Sequence, residues 1–187
     1  MAVGVPTGAV LLLIDLQKAI DHPSWGKRNN PEAENNAARL LALWRANGWP
    51  IIHVRHDSAA PDSHYRPGQP GHEFKPEVKP QTGETVLAKR TNSAFIGTDL
   101  EKRLRDGGHK ALVVAGVITN NSVEATVRMA GNLGFNTYLV SDACFTFGRA
   151  DLKGHFHSAE EIHDVSLANL HGEYCTVIDT LTVLGAV

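Results

Sequence analysis

The chain has 187 residues, 42% of them hydrophobic and 20% charged, with a formal net charge of −2. That length suits one domain burying about 70% of its unfolded surface, so no disulfide or metal staple is required. The balance excludes an electrostatic footprint for nucleic acid or an anionic membrane, and no run reaches the ~18 apolar residues of a membrane span.

The opening MAVGVPTGAVLLLIDLQ has no basic region before its apolar run and no small-residue cleavage site. Ala9–Ile14 reads as a strand, not a signal peptide, and a cytoplasmic protein is expected. Val10–Asp15 (VLLLID) is an apolar run ending in an acid, the pattern of a central buried strand. Pro31–Asn47 places Ala37, Leu40, Leu41 and Trp44 at helical spacing, and Gly48 closes that helix. Pro50–Val54 is a second strand. Residues 57–83 hold five prolines and little periodicity, which predicts a long lid or binding loop.

Glu84–Ala88 is a short strand. Thr98–Asp106 is an amphipathic helix with Asp99 and Glu101 in its first turn and Gly107-Gly108 as its stop. Ala111–Ala115 is a strand, followed by a helix from about Ser122 to Leu133 that Gly134 ends. Asn136–Ser141 is another strand. Ser158–Gly172 is a helix opened by a capping box of Ser158 and Glu161, and Cys175–Asp179 is a last strand. There is no internal repeat, so residues 1–187 form one domain.

Alternating helices and continuously apolar strands predict an α/β fold, a three-layer α-β-α sandwich around a mostly parallel sheet. Ligands of such folds sit beyond the carboxyl ends of the strands. The residues there are Asp15 to Gln17, His56-Asp57, Lys89-Arg90, Thr119 to Ser122 and Asp142 to Thr146. A buried carboxylate such as Asp15 is costly unless paired or at work. Lys89 can pair with it from a neighbouring strand. The Ser122 hydroxyl lies where a strand turns into a helix, near backbone N–H groups that stabilise developing negative charge. Each has a plainer reading: Asp15 and Ser122 as helix caps, Lys89 as a surface residue. Together they suggest a nucleophile, a base and a cation that tunes it.

Cys144 and Cys175 are expected as free thiols, with Cys144 lining the core or the pocket floor. The ten histidines show no HExxH spacing and no CxxC accompanies them, so no metal or other cofactor is expected.

LLLIDLQ, the lysine of VLAKRTNSAFIGTDL, and GVITNNSVEATVRMAGNLGF resemble the isochorismatase-like cysteine hydrolases, in order from about Val10 to Thr146. The resemblance implies a general base at Asp15, a stabilising lysine at Lys89 and a cysteine nucleophile that forms an acyl-enzyme from an amide or similar C–N bond. It also implies a cis peptide at Val117–Ile118 and an oxyanion hole from the N–H groups of Ile118 and Ser122. Gln17, Trp25, Phe95, Thr119 and Asn120 are the implied substrate contacts. The family's nicotinamidases place metal ligands near His56-Asp57, but no Asp-x-His stands at that position of HDSAAPDSH, where Asp57 is followed by Ser58-Ala59, which argues against zinc. A homodimer or homotetramer acting on a small amide or ureide is implied.

The departure is Ser122, which stands where the family has its cysteine. Three readings follow. The chain is an engineered, inactive Cys→Ser form of an amidohydrolase. Or it is a non-covalent hydrolase of the isochorismatase type, acting through its acid on a vinyl ether. Or it is a catalytically retired, ligand-binding paralogue.

Overall fold

The computed structural model describes residues 4–185; the ends of the opening stretch and of the 1–187 domain lie outside the described residues. Six parallel strands form one sheet: β1 (Val10–Ile14), β2 (Ile51–His56), β3 (Thr85–Lys89), β4 (Ala111–Val117), β5 (Asn136–Phe145) and β8 (Thr176–Ile178), in the order β3-β2-β1-β4-β5-β8. The strand order reverses at β1 and β4, the place where open α/β sheets hold ligands.

The period-two alternation of strand side chains builds the two outer layers. Leu11 and Leu13 of β1 join one core cluster with Leu40, Leu41 and Trp44 of α1 (Ala33–Asn47) and Val183 of α5 (Thr180–Gly185). Val10, Leu12 and Ile14 join the opposite cluster. That one includes Leu100 and Leu104 of α2 (Leu100–Asp106), Val127 of α3 (Glu124–Asn132) and Leu170 of α4 (Ala159–Leu170). Every residue of β1 and β4 is buried, which explains their unbroken apolar runs.

The helices begin and end for local reasons. Gly48 closes α1 in the left-handed conformation. The capping box at Ser158 and Glu161 is formed in both directions. The helix expected from Ser122 is different: a π-helical turn, Thr119–Val123, precedes α3. Strand β5 runs past Ser141 to Phe145. The stretch after it forms a small antiparallel ribbon of β6 (Arg149–Ala150) and β7 (Phe156–His157). Residues 57–83 carry only two short 3₁₀ turns, Pro70–His72 and Pro76–Val78.

Candidate active site

Four adjacent strands each deliver a residue to one end of the sheet. Asp15 follows β1, His56 ends β2, Lys89 ends β3, and Ser122 sits in the turn after β4. Gly116 allows the close approach of β1 and β4. Its φ is +136°, and a Cβ there would stand 2.2 Å from Ile14 O. Asp15 has a positive φ of 53°, a left-handed conformation that aspartate tolerates better than most residues. The Val117–Ile118 peptide is cis.

Lys89 has no exposed side-chain surface, and its ammonium group is fully engaged. It donates to Asp15 Oδ2 at 2.5 Å, to Ser122 Oγ at 3.2 Å and to Thr91 O at 3.2 Å. Those are the three donors an ammonium has. Asp15 Oδ1 is buried with no hydrogen-bond partner among the described residues. Burial raises the Asp15 pKa above the ordinary carboxylate range, while the Lys89 charge and hydrogen bonds from Lys89 and Ser122 oppose that rise. Ser122 is not a helix cap, since its hydroxyl accepts from Lys89 inside the π turn. Asp15 caps no helix either, and Lys89 is not a surface residue.

These groups border a cavity of about 180 Å³, and Asp15 and Ser122 lie on its wall with Val117 and Ile118. The long loop closes over its own site, because Ser63 and Tyr65 line the same cavity. Tyr65 donates a long bond of 3.5 Å to Asp15 O, and its ring meets His56 edge-on. Burial and the Lys89 charge depress the His56 pKa to about 4, against a smaller opposing effect of Asp57, so the ring is neutral at pH 7.

The residues expected at the substrate divide. Trp25 lines the cavity, fixed by its Nε1 bond to Ala19 O at 3.0 Å and by stacking on Phe147. Gln17 is fully buried and ties the end of β2 to the long loop: it accepts from His56 N at 2.7 Å and donates to His72 O at 2.9 Å. Phe95 stacks on Phe135, away from the cavity, and Asn92 of the same loop lines it instead. Thr119 is buried in a 2.9 Å hydrogen bond with His163. Asn120 accepts from Thr146 Oγ1, and the π turn brings Asn121 to the cavity in its place. Asn92, Asn121, Ser63 and Tyr65 also line the cavity and were not named among the expected substrate contacts. Asn92, three residues past Lys89, and Asn121, within Thr119 to Ser122, stood near enough to a strand end to be found by spacing.

Cys144 is fully buried on β5 and its thiol is pushed up to about 12 by burial, which leaves it inert as a nucleophile. Cys175 is likewise a free, buried thiol. Among the described residues no group of three or more histidine, cysteine or acidic side chains could hold a metal ion, and no helix is long and apolar enough to cross a membrane.

The family model for the isochorismatase domain matches residues 9–181. The isochorismatase family protein YrdC of Bacillus subtilis is 44% identical over 170 residues, covering 91% of each chain. A crystal structure of a hydrolase of the isochorismatase family from Chromobacterium violaceum is 60% identical, with a TM-score of 0.97 over 100% of this chain and 97% of that one. Nicotinamidase 3 of Arabidopsis thaliana is 29% identical over 91% of this chain and 84% of its own length.

Proposed function

This chain belongs to the isochorismatase family of hydrolases, and on that footing we propose that it hydrolyses the C–N bond of a small linear or cyclic amide or ureide, with Asp15 as the group that moves the proton. The observation that carries this is the unpartnered Oδ1 of Asp15, beside Ser122 on a cavity wall and backed by Lys89. The amide class is supported by the kinship with a nicotinamidase.

In the covalent route, the group at position 122 gives its proton to Asp15 Oδ1 and attacks the substrate carbonyl carbon. The C–N bond then breaks, and the amine leaves with that proton. Water next attacks the acyl group, again giving a proton to Asp15; the bond to the group at position 122 breaks, that group takes the proton back from Asp15, and the acid is released. The N–H groups of Ile118 and Ser122 are the proposed donors to the oxyanion of both steps. A thiol has a pKa near ~8.5 and ionises readily beside an ammonium group. A serine hydroxyl is far less acidic, and a carboxylate is a weak base for it. With Ser122 in place the covalent route is therefore slow, and Ser122→Cys opens it.

The test is ammonia release from a panel of amides, ureides and lactams. Ser122→Cys is expected to raise the rate by about tenfold or more. Asp15→Asn in either background is expected to lower it by about 100-fold or more. A panel in which Asp15→Asn leaves the rates unchanged would remove Asp15 from the mechanism.

A second reading has its own observation. Burial favours the protonated form of Asp15, against the opposing Lys89 charge, and that form is the one that protonation of a vinyl ether uses, by a route that needs no nucleophile at 122. Release of a carbonyl product from a vinyl ether, lost in Asp15→Asn but equal in Ser122→Cys, would replace the first reading by this one.

A further inference from the structure

The cavity also restricts the charge of what it accepts, an inference that rests on the amide-hydrolase reading. The lining described above contains one acid, Asp15, and neither a lysine nor an arginine. Lys89 stands behind that wall with all three ammonium donors committed to Asp15, Ser122 and Thr91. Arg55, one residue before His56, faces a different groove with Lys18 and Phe74. His56 is uncharged at neutral pH. The remaining polar groups at the cavity, those of Ser63, Tyr65, Asn92 and Asn121, are neutral hydrogen-bonding side chains.

A carboxylate that moves from water into such a space loses hydration and gains no cation. It also meets the Asp15 carboxylate at short range, where like charges disfavour one another. A carboxamide of the same shape avoids both penalties and offers donors and acceptors that the asparagines and hydroxyls can satisfy. We propose that this cavity selects uncharged amide or ureide groups and rejects isosteres that place a carboxylate inside it, because its wall carries one acid and no available cation.

Matched pairs isolate the effect: malonamide against malonamate, and fumaramide against fumaramate. Each pair exchanges one NH₂ for O⁻ at nearly constant shape. Binding to the full chain is measured by titration calorimetry near neutral pH, with ammonia release followed in parallel. The diamides are expected to bind more tightly than their acids by about tenfold or more. Asn92 is exposed at the rim, so Asn92→Lys adds a cation without burying it. That variant is expected to tighten the acids and narrow the ratio, with its circular dichroism unchanged.

Equal or tighter binding of the acids to the unsubstituted chain overturns the proposal. So does an absence of binding by any diamide, or a ratio that Asn92→Lys leaves unmoved. Selective binding of diamides with no ammonia released, even in Ser122→Cys, would sink the amide-hydrolase reading and leave the charge selectivity standing.

Discussion

At the scale of single residues, the pairing of Asp15 with Lys89 is where stability and chemistry meet. Two charges with almost no exposed side-chain surface are expensive to desolvate, and their mutual attraction offsets that cost only while both are present. Lys89 has a second effect, since its charge restrains the rise that burial imposes on the Asp15 pKa. In the proposed mechanism Asp15 serves as a base only when ionised, so the acid limb of the rate profile would follow its folded pKa. Removing the cation in Lys89→Met lets that pKa climb further. The acid limb of kcat/KM is expected to move to higher pH, and a pH–rate profile of the two forms, normalised for folded protein, checks it. An unmoved limb would mean that a group other than Asp15 governs the profile. Ser122 teaches a related lesson. A serine before a helix suggests a cap by residue type alone, yet its bond to Lys89 comes from a residue 33 positions away, and no local pattern reveals that.

At the scale of elements, the approach of β4 to β1 sets the position of the acid. Gly116 pairs with Ile14, the residue before Asp15, in a backbone conformation that L side chains rarely adopt. Gly116→Ala combines that strain with a collision against Ile14 backbone atoms, which cannot move aside as a flexible side chain would. A loss of about 3 kcal/mol or more is expected, measured as a fall in the urea midpoint with an unchanged m-value. The existence of the strands was legible, because burial on both faces writes each as a continuous apolar run. Their ends were less so. Strand β5 continues through Ser141 and Asp142 because those polar groups find distant partners: Ser141 donates to Ile178 O, and Asp142 accepts from Thr180 and Asn36. The π turn escaped notice for a similar reason. Its extra residue rotates Asn121 into the cavity and turns Asn120 toward Thr146, a difference that α-helical spacing does not encode.

At the scale of the whole molecule, two carboxylates, buried Glu34 and half-buried Glu84, tie the layers and the long loop together. Glu84 accepts from Arg45 of α1, His53 of β2 and Gln81 N, and Glu34 of α1 accepts from Arg28 and Lys75. Burial alone would raise both acids, but these hydrogen bonds and the adjacent positive charges outweigh it and bring each to about 2. A folded pKa below the unfolded value of 4.5 adds stability that is fully present above pH 4.5 and fades as the pH falls toward 2. Glu84→Gln is expected to be less stable than the parent at neutral pH and to lose less on acidification across that window. Urea midpoints from pH 7 to pH 2 check both parts, and parallel curves would show that Glu84 contributes nothing to the pH dependence. The layered architecture itself was foreseeable from alternation and apolar runs, as was the cluster of Asp15, Lys89 and position 122. Gln17 and Phe95 were not separable from true cavity residues, because nearness along the chain to a strand end does not say which way a side chain turns.

The strand order has one more consequence, for the chain as it is made. Asp15 and its cation Lys89 are synthesised well before Ser122, and the cavity wall at residues 117 to 122 exists only once β4 has inserted beside β1. A growing polypeptide that ends near the Gly107-Gly108 turn carries Asp15 and Lys89 but not the Val117 to Ser122 part of the cavity wall. Cutting the gene at that turn would give two halves that each lack part of the cavity, and, on the proposed function, hydrolysis would report their reunion.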